Sequence, residues 1–325
     1  MKLIALLTVC AAILAFTAAS AETKICADSN QLTLYEQDAP VFTYRYRDVP
    51  RKPYVLELYT PGGLNILRDA PHDHLHHHGL MMAIKVNDVN YWEESDAGGY
   101  QLHQEFTDVR VTPDTDASGD GFREQLYWRG PDDSAPTLTE FRSVHHSPLS
   151  NETARVLTWQ SDFRLFSDRE QTGRQRAGGA SRRQGDSREP ATLGGRIYHG
   201  LGMRFPEFMD EVGAFIMADD MTGAFDDGPH HLAQARWCAY TVAHDETPVT
   251  VAMFNCPDNP RPTLWFTMLQ PFAYLSGTQD LMRDPMTLGP RETITMRYGV
   301  AAWDAVMDKS DIEAMYNTWA ASLEN

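Results

Sequence analysis

The stretch VTVAMFNCPDNPRPTLWFTML, residues 249–269, places two short apolar runs on either side of a loop that contains three prolines. Valine, threonine, phenylalanine and tryptophan recur in both runs, and such β-branched and aromatic side chains fit the pleated surface of a strand. Proline has no backbone N–H to donate, so the loop cannot continue either strand. The stretch therefore predicts two β-strands joined by a stiff connection.

The same pattern recurs along the chain, in runs separated by clusters of glycine, proline, asparagine and aspartate. These runs are LTLYE, VFTYRYR, YVLELYT, REQLYWRG, RVLTWQSDFRLF, IYHGLGMRF and TITMRYGVAAW. No alternation of strands and helices accompanies them, and no glycine-rich turn leads from a strand into a helix, which argues against a nucleotide-binding fold. The sequence predicts an all-β fold, a large antiparallel β-sandwich.

One helix is expected at the C-terminus. Ser310 and Glu313 have the spacing of a capping box, in which two side chains satisfy the first free N–H groups of a helix. The apolar residues after this pair fall on one helical face, which predicts packing against the sandwich. They are Ile312, Met315, Tyr316, Trp319 and Ala320.

The first residues, MKLIALLTVCAAILAFTAASA, combine Lys2, an apolar run and small residues before Glu22. This order is typical of a secretory signal peptide, so residues 1–21 predict export to the periplasm or the medium. Residues 22–325 are expected to form a single sandwich domain. Residues 167–193 are rich in glycine, serine, arginine and glutamine, which predicts a flexible insertion within that domain.

Charge and composition narrow the classes of partner. The formal net charge is −17, and a field of this sign repels nucleic acid and anionic lipid. After residue 21 no segment approaches the roughly 20 apolar residues of a membrane span. A small uncharged molecule or an oligosaccharide is therefore the expected ligand. Cys26, Cys238 and Cys256 form no C-x-x-C motif, and a bridge between the last two stays open.

The run PHDHLHHHGL, residues 71–80, is the first candidate for chemistry, because it precedes the apolar run LMMAIKV on a loop. In an extended segment His72, His74 and His76 would share one side and His77 would point to the other, so only part of the set can converge. Three interpretations stay open. His74 and His76 could bind a metal together with the distant His199, one imidazole could act as an acid or base, or the rings could only bond the loop.

Two further runs carry candidate residues. In VNYWEESDAGGY, Trp92 could stack on a sugar ring while Glu93 acts on its hydroxyls, unless Trp92 is a core residue. In GGRIYHGLGMRF, His199 is a second candidate acid or base and Arg204 a candidate ligand contact. A buried, hydrogen-bonded histidine is the alternative for His199.

The proline-broken loop of the opening stretch contains Asn259 and Arg261, and Trp265 follows it. Because prolines hold a loop rigid, its polar groups would be pre-organised for binding at little entropic cost. The same rigidity would suit a connector that has no binding role.

Several of these runs also carry a family resemblance. PYVLELYTPGGLNILRDAPHDHLHHHGL, VNDVNYWEE, HGLGMRF, ARWCAYT and FNCPDNPRPTLWF occur in this order between about residues 40 and 302. They resemble the secreted bacterial family labelled PmoA-like or methane oxygenase PmoA, a domain of unknown function. The resemblance implies a β-sandwich similar to the galactose-mutarotase-like superfamily, which occurs among secreted carbohydrate-utilisation proteins. It also implies an arginine where this chain has His78.

Together these observations predict a secreted carbohydrate-active enzyme, a hydrolase or lyase acting on a neutral or modified glycoside. A non-catalytic carbohydrate-binding or uptake accessory protein is the alternative, and the PmoA label adds a metal-dependent oxygenase as a third. The expected catalytic residues are His77, His199 and Glu93, and the expected substrate contacts are Trp92, Arg204, Asn259, Arg261 and Trp265. The expected ligands of a divalent metal are His74, His76 and His199.

Overall fold

A computed structural model describes residues 23–111, 119–132, 135–167, 188–218, 230–243 and 247–324. The predicted signal peptide lies outside these residues, and so does most of the predicted insertion. At the described end of that range a strand begins at Ala191.

The described residues are mostly strands. In the first half of the chain these are β1 (Thr23–Ala27), β2 (Gln31–Glu36), β3 (Ala39–Arg45), β4 (Tyr54–Leu58), β5 (Leu80–Ala83), β6 (Lys85–Val86), β7 (Val89–Asn90), β8 (Tyr100–Arg110), β9 (Asp120–Arg129), β10 (Leu138–His146) and β11 (Arg155–Leu165). In the second half they are β12 (Ala191–Gly194), β13 (Gly200–Arg204), β14 (Ala214–Met217), β15 (His230–Gln234), β16 (Trp237–Val242), β17 (Val249–Asn255), β18 (Leu264–Met268), β19 (Tyr274–Thr278), β20 (Met286–Leu288) and β21 (Ile294–Trp303). A 3-10 turn covers Glu207–Met209, and the helix α1 covers Lys309–Ser322.

The strands form two large sheets and one small sheet. The nine-stranded sheet has the order β1-β2-β3-β4-β5-β13-β19-β18-β15, and the eight-stranded sheet has the order β14-β16-β17-β21-β11-β10-β9-β8. The four-stranded sheet, β20-β12-β6-β7, lies beside them. Buried side chains from both large sheets share one apolar core, among them Leu34, Leu80, Leu126 and Val300. Neighbouring strands run antiparallel, as between β13 and β19 or β17 and β21, so the predicted antiparallel β-sandwich is confirmed.

The opening stretch connects the two large sheets, since β17 belongs to the eight-stranded sheet and β18 to the nine-stranded one. Asn259 braces this crossing. Its Nδ2 donates to Asn255 Oδ1 at 2.9 Å and to the carbonyl of Arg297 at 2.8 Å, and its Oδ1 accepts from the N–H of Arg297 at 2.7 Å. Its amide group thus ties the loop to β21 as well as to Asn255, which gives Asn259 a structural role.

The predicted C-terminal helix is confirmed, but its cap is not the expected one. Asp308 is the N-cap and accepts from the backbone N–H groups of Ser310 and Asp311. Glu313 instead accepts from the indole Nε1 of Trp237 at 2.7 Å, so it ties α1 to β16. The buried face of the helix consists of Ile312, Tyr316 and Trp319.

The three cysteines of the described residues form no disulfide bond. Cys238 and Cys256 are buried and unbridged, and Cys26 is exposed and unbridged. Over the part of the chain that the structure describes, no helix has the length and apolarity needed to cross a membrane.

Candidate functional site

The histidine segment folds as two successive turns and not as the extended strand that the sequence analysis assumed. The N–H of His74 donates to the carbonyl of Pro71, and the N–H of His77 donates to the carbonyl of His74, both at 2.9 Å. The predicted alternation of sides is therefore wrong. His72 is exposed, whereas the rings of His74, His76 and His77 contact each other with centroids 4.6–5.8 Å apart.

These three rings form one wall of a pocket of about 280 Å³. The pocket lies on the face of the nine-stranded sheet that points away from the main core, beside a second, smaller apolar cluster. Alternation along β5 shows this directly, because Leu80 and Met82 join the main core while Met81 and Ala83 join the smaller cluster. The lining residues are His74, His76, His77, Trp92, Glu93, Tyr198, Phe266, Met268, Phe272 and Tyr274.

Trp92 is fully buried and is held through its backbone. Its N–H donates to Asn90 Oδ1 at 2.8 Å, and its carbonyl accepts from Lys52 Nζ at 3.0 Å. Its indole stacks on the imidazole of His199, with centroids 5.2 Å apart and planes 10° apart. Trp92 is therefore a rigid part of the pocket wall. His199 does not line the pocket but supports this wall.

Glu93 is the one carboxylate among the described residues that line the pocket. Tyr198 donates its hydroxyl to Glu93 Oε1 at 2.9 Å, Asn90 Nδ2 donates to Oε2, and Arg196 Nε lies 3.6 Å from Oε1. Burial by itself would raise the pKa of Glu93, but the hydrogen bond from Tyr198 and the other favourable contacts outweigh it and lower the pKa. Glu93 is thus an oriented carboxylate, ionised at neutral pH.

The imidazoles around Glu93 are neutral. Burial lowers the pKa of His77 to about 2, with help from the neighbouring His76 and His74. Burial also lowers the pKa of His76 and of His199, whose Nε2 lies 3.9 Å from Glu93 Oε2. At neutral pH the predicted acid-base histidines therefore act as uncharged hydrogen-bonding groups. A charged His199 would stabilise the negative charge of Glu93, but His199 is charged only at acidic pH.

Unpartnered polar atoms concentrate around this pocket. Seven buried side-chain nitrogen and oxygen atoms that lack a hydrogen-bond partner within the described residues belong to five neighbouring side chains. Because buried polar groups are nearly always paired, such a concentration is typical of a functional site. The atoms are His77 Nδ1, Trp92 Nε1, both ring nitrogens of His199, Arg204 Nε and Nη1, and the Tyr274 hydroxyl.

Arg204 lies behind the pocket, in β13. Its guanidinium is 3.6 Å from the ring centroid of Phe272, which lines the pocket, and Nη2 is 3.7 Å from carboxylate oxygens of both Asp73 and Asp210. Only 2% of Arg204 is exposed. The predicted ligand contact is thus indirect in this conformation, since Arg204 supports Phe272 by a cation–π interaction.

The predicted metal ligands are not assembled. His74 and His76 line the pocket, but His199 packs against Trp92 and is not among the lining residues. In the described ranges no group of three histidine, cysteine, aspartate or glutamate side chains is placed to hold a metal ion. A divalent metal therefore stays a prediction, which metal analysis of the purified protein tests.

Two other predicted substrate contacts also lie outside the pocket lining, as Asn259 does. Arg261 pairs with Asp284 Oδ2 at 2.9 Å. Trp265 is fully buried, and its indole Nε1 donates to the carbonyl of Ala235 at 2.8 Å. Both residues stabilise the sandwich and its connections, and neither is among the lining residues of this pocket.

A buried charged network that the sequence analysis did not anticipate anchors the Trp92–Glu93 loop. His78 Nδ1 is 2.6 Å from Asp69 Oδ1 and Nε2 is 3.0 Å from Glu94 Oε1, while Lys52 Nζ donates to the same Glu94 oxygen at 2.8 Å. Although burial opposes ionisation, the bond from His78 and the charge of Lys52 lower the pKa of Glu94 to about 2. The bonds to both carboxylates outweigh burial and raise the pKa of His78. His78 is therefore an anchor and not a pocket residue.

Sequence reasoning missed half of the pocket lining. Tyr198 adjoins His199 in the sequence, and its polar aromatic side chain is the signal that marks it. For Phe266, Met268, Phe272 and Tyr274 no motif marks a role, since each lies in or near a strand with ordinary apolar character.

Solved structures with a related arrangement of strands include two α-galactosidases. The Lactobacillus brevis enzyme is 8% identical with a TM-score of 0.47, and the alignment covers 89% of this chain and 40% of that one. AgaB from Geobacillus stearothermophilus, of family GH36, is 11% identical with a TM-score of 0.49, covering 87% of this chain and 41% of that one. The chain thus spans about two fifths of the length of these enzymes.

The Slr1438 protein from Synechocystis sp. PCC 6803 is comparable in length, with 90% of this chain and 99% of that chain covered, at 8% identity and a TM-score of 0.35. Among proteins with curated descriptions, none matches this chain in sequence.

The predicted membership of the PmoA-like family is wrong. The oxygenase alternative depended on the label of that family and therefore has no support. The family profile that matches is that of DUF6807, a family of unknown function, and it spans residues 31–317. This match includes all the pocket residues and nearly the whole described sandwich. The chain therefore belongs to the DUF6807 family.

Proposed function

We propose that the chain is a carbohydrate-active enzyme that holds one uncharged sugar ring in the pocket and uses Glu93 as its base. The observation that carries this proposal is the ionised, doubly hydrogen-bonded Glu93 carboxylate within an aromatic pocket. Aromatic side chains of the lining, among them the half-buried Tyr198, offer flat apolar surfaces that suit the faces of a sugar ring. The neutral imidazoles, His77 first among them, supply hydrogen bonds to its hydroxyl groups.

The size of the pocket supports a single ring. Its volume of about 280 Å³ lies just below the range of about 300–1,000 Å³ that drug-sized ligands occupy. One monosaccharide, or the terminal residue of a longer chain, suits such a volume better than an internal stretch of polysaccharide.

The charges around the pocket support an uncharged ligand. Arg204 faces Asp73 and Asp210, and Lys52 is paired with Glu94. These cations are balanced by carboxylates, so they do not create a positive field toward the pocket. Because Glu93 adds a negative charge to the lining, an acidic sugar would be repelled.

A carbohydrate-binding protein without turnover is the second candidate, since the aromatic lining would serve it equally. The substitution Glu93→Gln separates the two. In an enzyme this change should abolish turnover of the responding sugar while most of the affinity is kept, because the amide has the shape of the acid but is no base.

The experiment screens neutral mono- and disaccharides by ligand-observed NMR for binding and for product formation. Glu152→Gln is the matched control, because Glu152 is exposed in the turn between β10 and β11. Binding that is unaffected by Glu93→Gln, with no product from any sugar, would favour the binding protein. No binding of any sugar would refute both candidates.

Export is part of the proposal and is supported by the signal-peptide pattern of residues 1–21. Cell fractionation of the full-length chain should recover the protein in the periplasm or the medium, shortened at its N-terminus.

A further inference from the structure

The groups in and around the pocket restrict the chemistry that it can support. Hydrolysis of a glycoside commonly requires two carboxyl groups that flank the bond, one of them protonated. Among the described lining residues Glu93 is the one carboxylate, and it is ionised. A carboxylate base beside a neutral imidazole such as His77 is instead a pair suited to removing a proton from carbon next to a carbonyl group, where the imidazole polarises the carbonyl oxygen.

The unpartnered atoms are rich in hydrogen-bond donors. Among the lining residues, Trp92 Nε1 can only donate, and the Tyr274 hydroxyl and the neutral imidazole of His77 contribute one donor each. Such a set fits an oxygen that accepts several bonds and gains negative charge during the reaction, as in an oxyanion hole.

The acceptor oxygen could belong to a carboxylate or to an uncharged group, and the neighbouring charges distinguish the two. A carboxylate group on the sugar would need an unbalanced cation, but Arg204 already faces Asp73 and Asp210 at 3.7 Å. The acceptor is therefore an uncharged oxygen that becomes anionic only in the transition state. A ketone oxygen has this property, and a hydroxyl group does not.

We infer that the substrate is an oxidised but uncharged sugar, a glycoside that carries a ketone on its ring, and that the enzyme is a lyase. This inference rests on the proposed function, since it specifies the substrate class of the same pocket.

The reaction needs no oxidant or further reactant. Glu93 removes the proton from the carbon next to the ketone, the C–H electron pair forms a C=C bond, and the carbonyl electron pair moves onto oxygen. The ketone then re-forms as the C–O bond on the following carbon breaks. The departing oxygen takes the proton back from Glu93, and the products are an unsaturated ketone and an alcohol.

The test uses methyl glycosides of the gluco and galacto series in three forms: unoxidised, oxidised to the acid at the terminal carbon, and oxidised to a ketone two carbons from the anomeric centre. In the ketone form the methoxy group is placed for elimination. Proton NMR in deuterated water reports binding, deuterium uptake next to the ketone, and release of methanol.

The expected result is deuterium uptake and methanol release from a ketone form only. Glu93→Gln should slow both by roughly 100-fold or more while retaining binding, and Glu152→Gln should leave both unchanged. Tyr274→Phe should weaken the binding of the ketone form more than that of the unoxidised form, because it removes a donor to the ketone oxygen.

Turnover of an unoxidised glycoside, or binding of both ketones without deuterium uptake, would overturn the inference and leave the proposed function standing. Turnover of the acidic form would overturn both, because the proposed function requires an uncharged sugar. Failure of every sugar to bind would overturn the proposed function as well. Deuterium uptake at the same rate with Glu93→Gln would refute the role of Glu93 in both.

Discussion

The unpartnered hydroxyl of Tyr274 permits a test of the pocket that requires no knowledge of the substrate. Tyr274 is 2% exposed, and its hydroxyl has no hydrogen-bond partner among the described residues. It packs against Gly202, where a Cβ atom would overlap it. Burying a hydroxyl without a hydrogen bond costs about 1–3 kcal/mol in proteins. Tyr274→Phe deletes this group and keeps the ring, so it should raise the free energy of unfolding by about 1 kcal/mol.

The matched control is Tyr240→Phe, also in a buried ring. The Tyr240 hydroxyl donates to the carbonyl of Met209 at 2.5 Å and accepts from the N–H of Gly213 at 3.0 Å. Its removal leaves two backbone groups unpaired, so stability should fall by about 1–3 kcal/mol. The two substitutions remove the same atom and should change stability in opposite directions.

Urea unfolding followed by circular dichroism measures both changes, and thermal unfolding should show the same signs, at about 2–4 °C per kcal/mol for a domain of this order of size. If Tyr274→Phe destabilises the protein as much as Tyr240→Phe does, the Tyr274 hydroxyl is satisfied in solution. The interpretation of the unpartnered atoms as a preformed binding surface would then be refuted.

Three further predictions concern the groups that hold the Trp92–Glu93 loop. Glu94→Gln leaves the buried ammonium group of Lys52 without its carboxylate and should cost about 3–5 kcal/mol of stability. Asp88→Asn, in the exposed pair with Lys85, should cost little. Equal losses of stability in urea unfolding would contradict this prediction. Tyr198→Phe should raise the pKa of Glu93, because it removes a hydrogen bond to the charged form; carbon NMR titration of the carboxyl group measures it, and an unchanged pKa would argue against this orienting role. The pKa of His78 is raised in the folded state, so its contribution to stability is complete below about pH 6.5 and is lost as the pH rises through the folded-state pKa. The free energy of unfolding should therefore fall as the pH is raised through this range. A free energy of unfolding that increased with pH would contradict this sign.

Much of the sandwich could be predicted from the sequence because the relevant signals are local. The β-branched and aromatic residues of a run such as VTVAMFN favour a strand by their own types, and turn residues mark where a strand ends. The helical face of Ile312, Tyr316 and Trp319 is local for the same reason. The sequence also identified Trp92, Glu93 and His77 as candidates, because their residue types carry chemistry wherever they lie.

The tertiary structure alone decided which of these candidates meet. The pocket exists because β5, β13 and β19 are neighbours in one sheet although they are far apart in the chain. This order results from long-range packing of the two sheets and has no local pattern in the sequence. Burial then determined the chemistry: it made the imidazole of His77 neutral, while donated hydrogen bonds kept Glu93 ionised. Protonation and hydrogen-bond partners depend on surroundings drawn from the whole chain, so residue type by itself could not predict them.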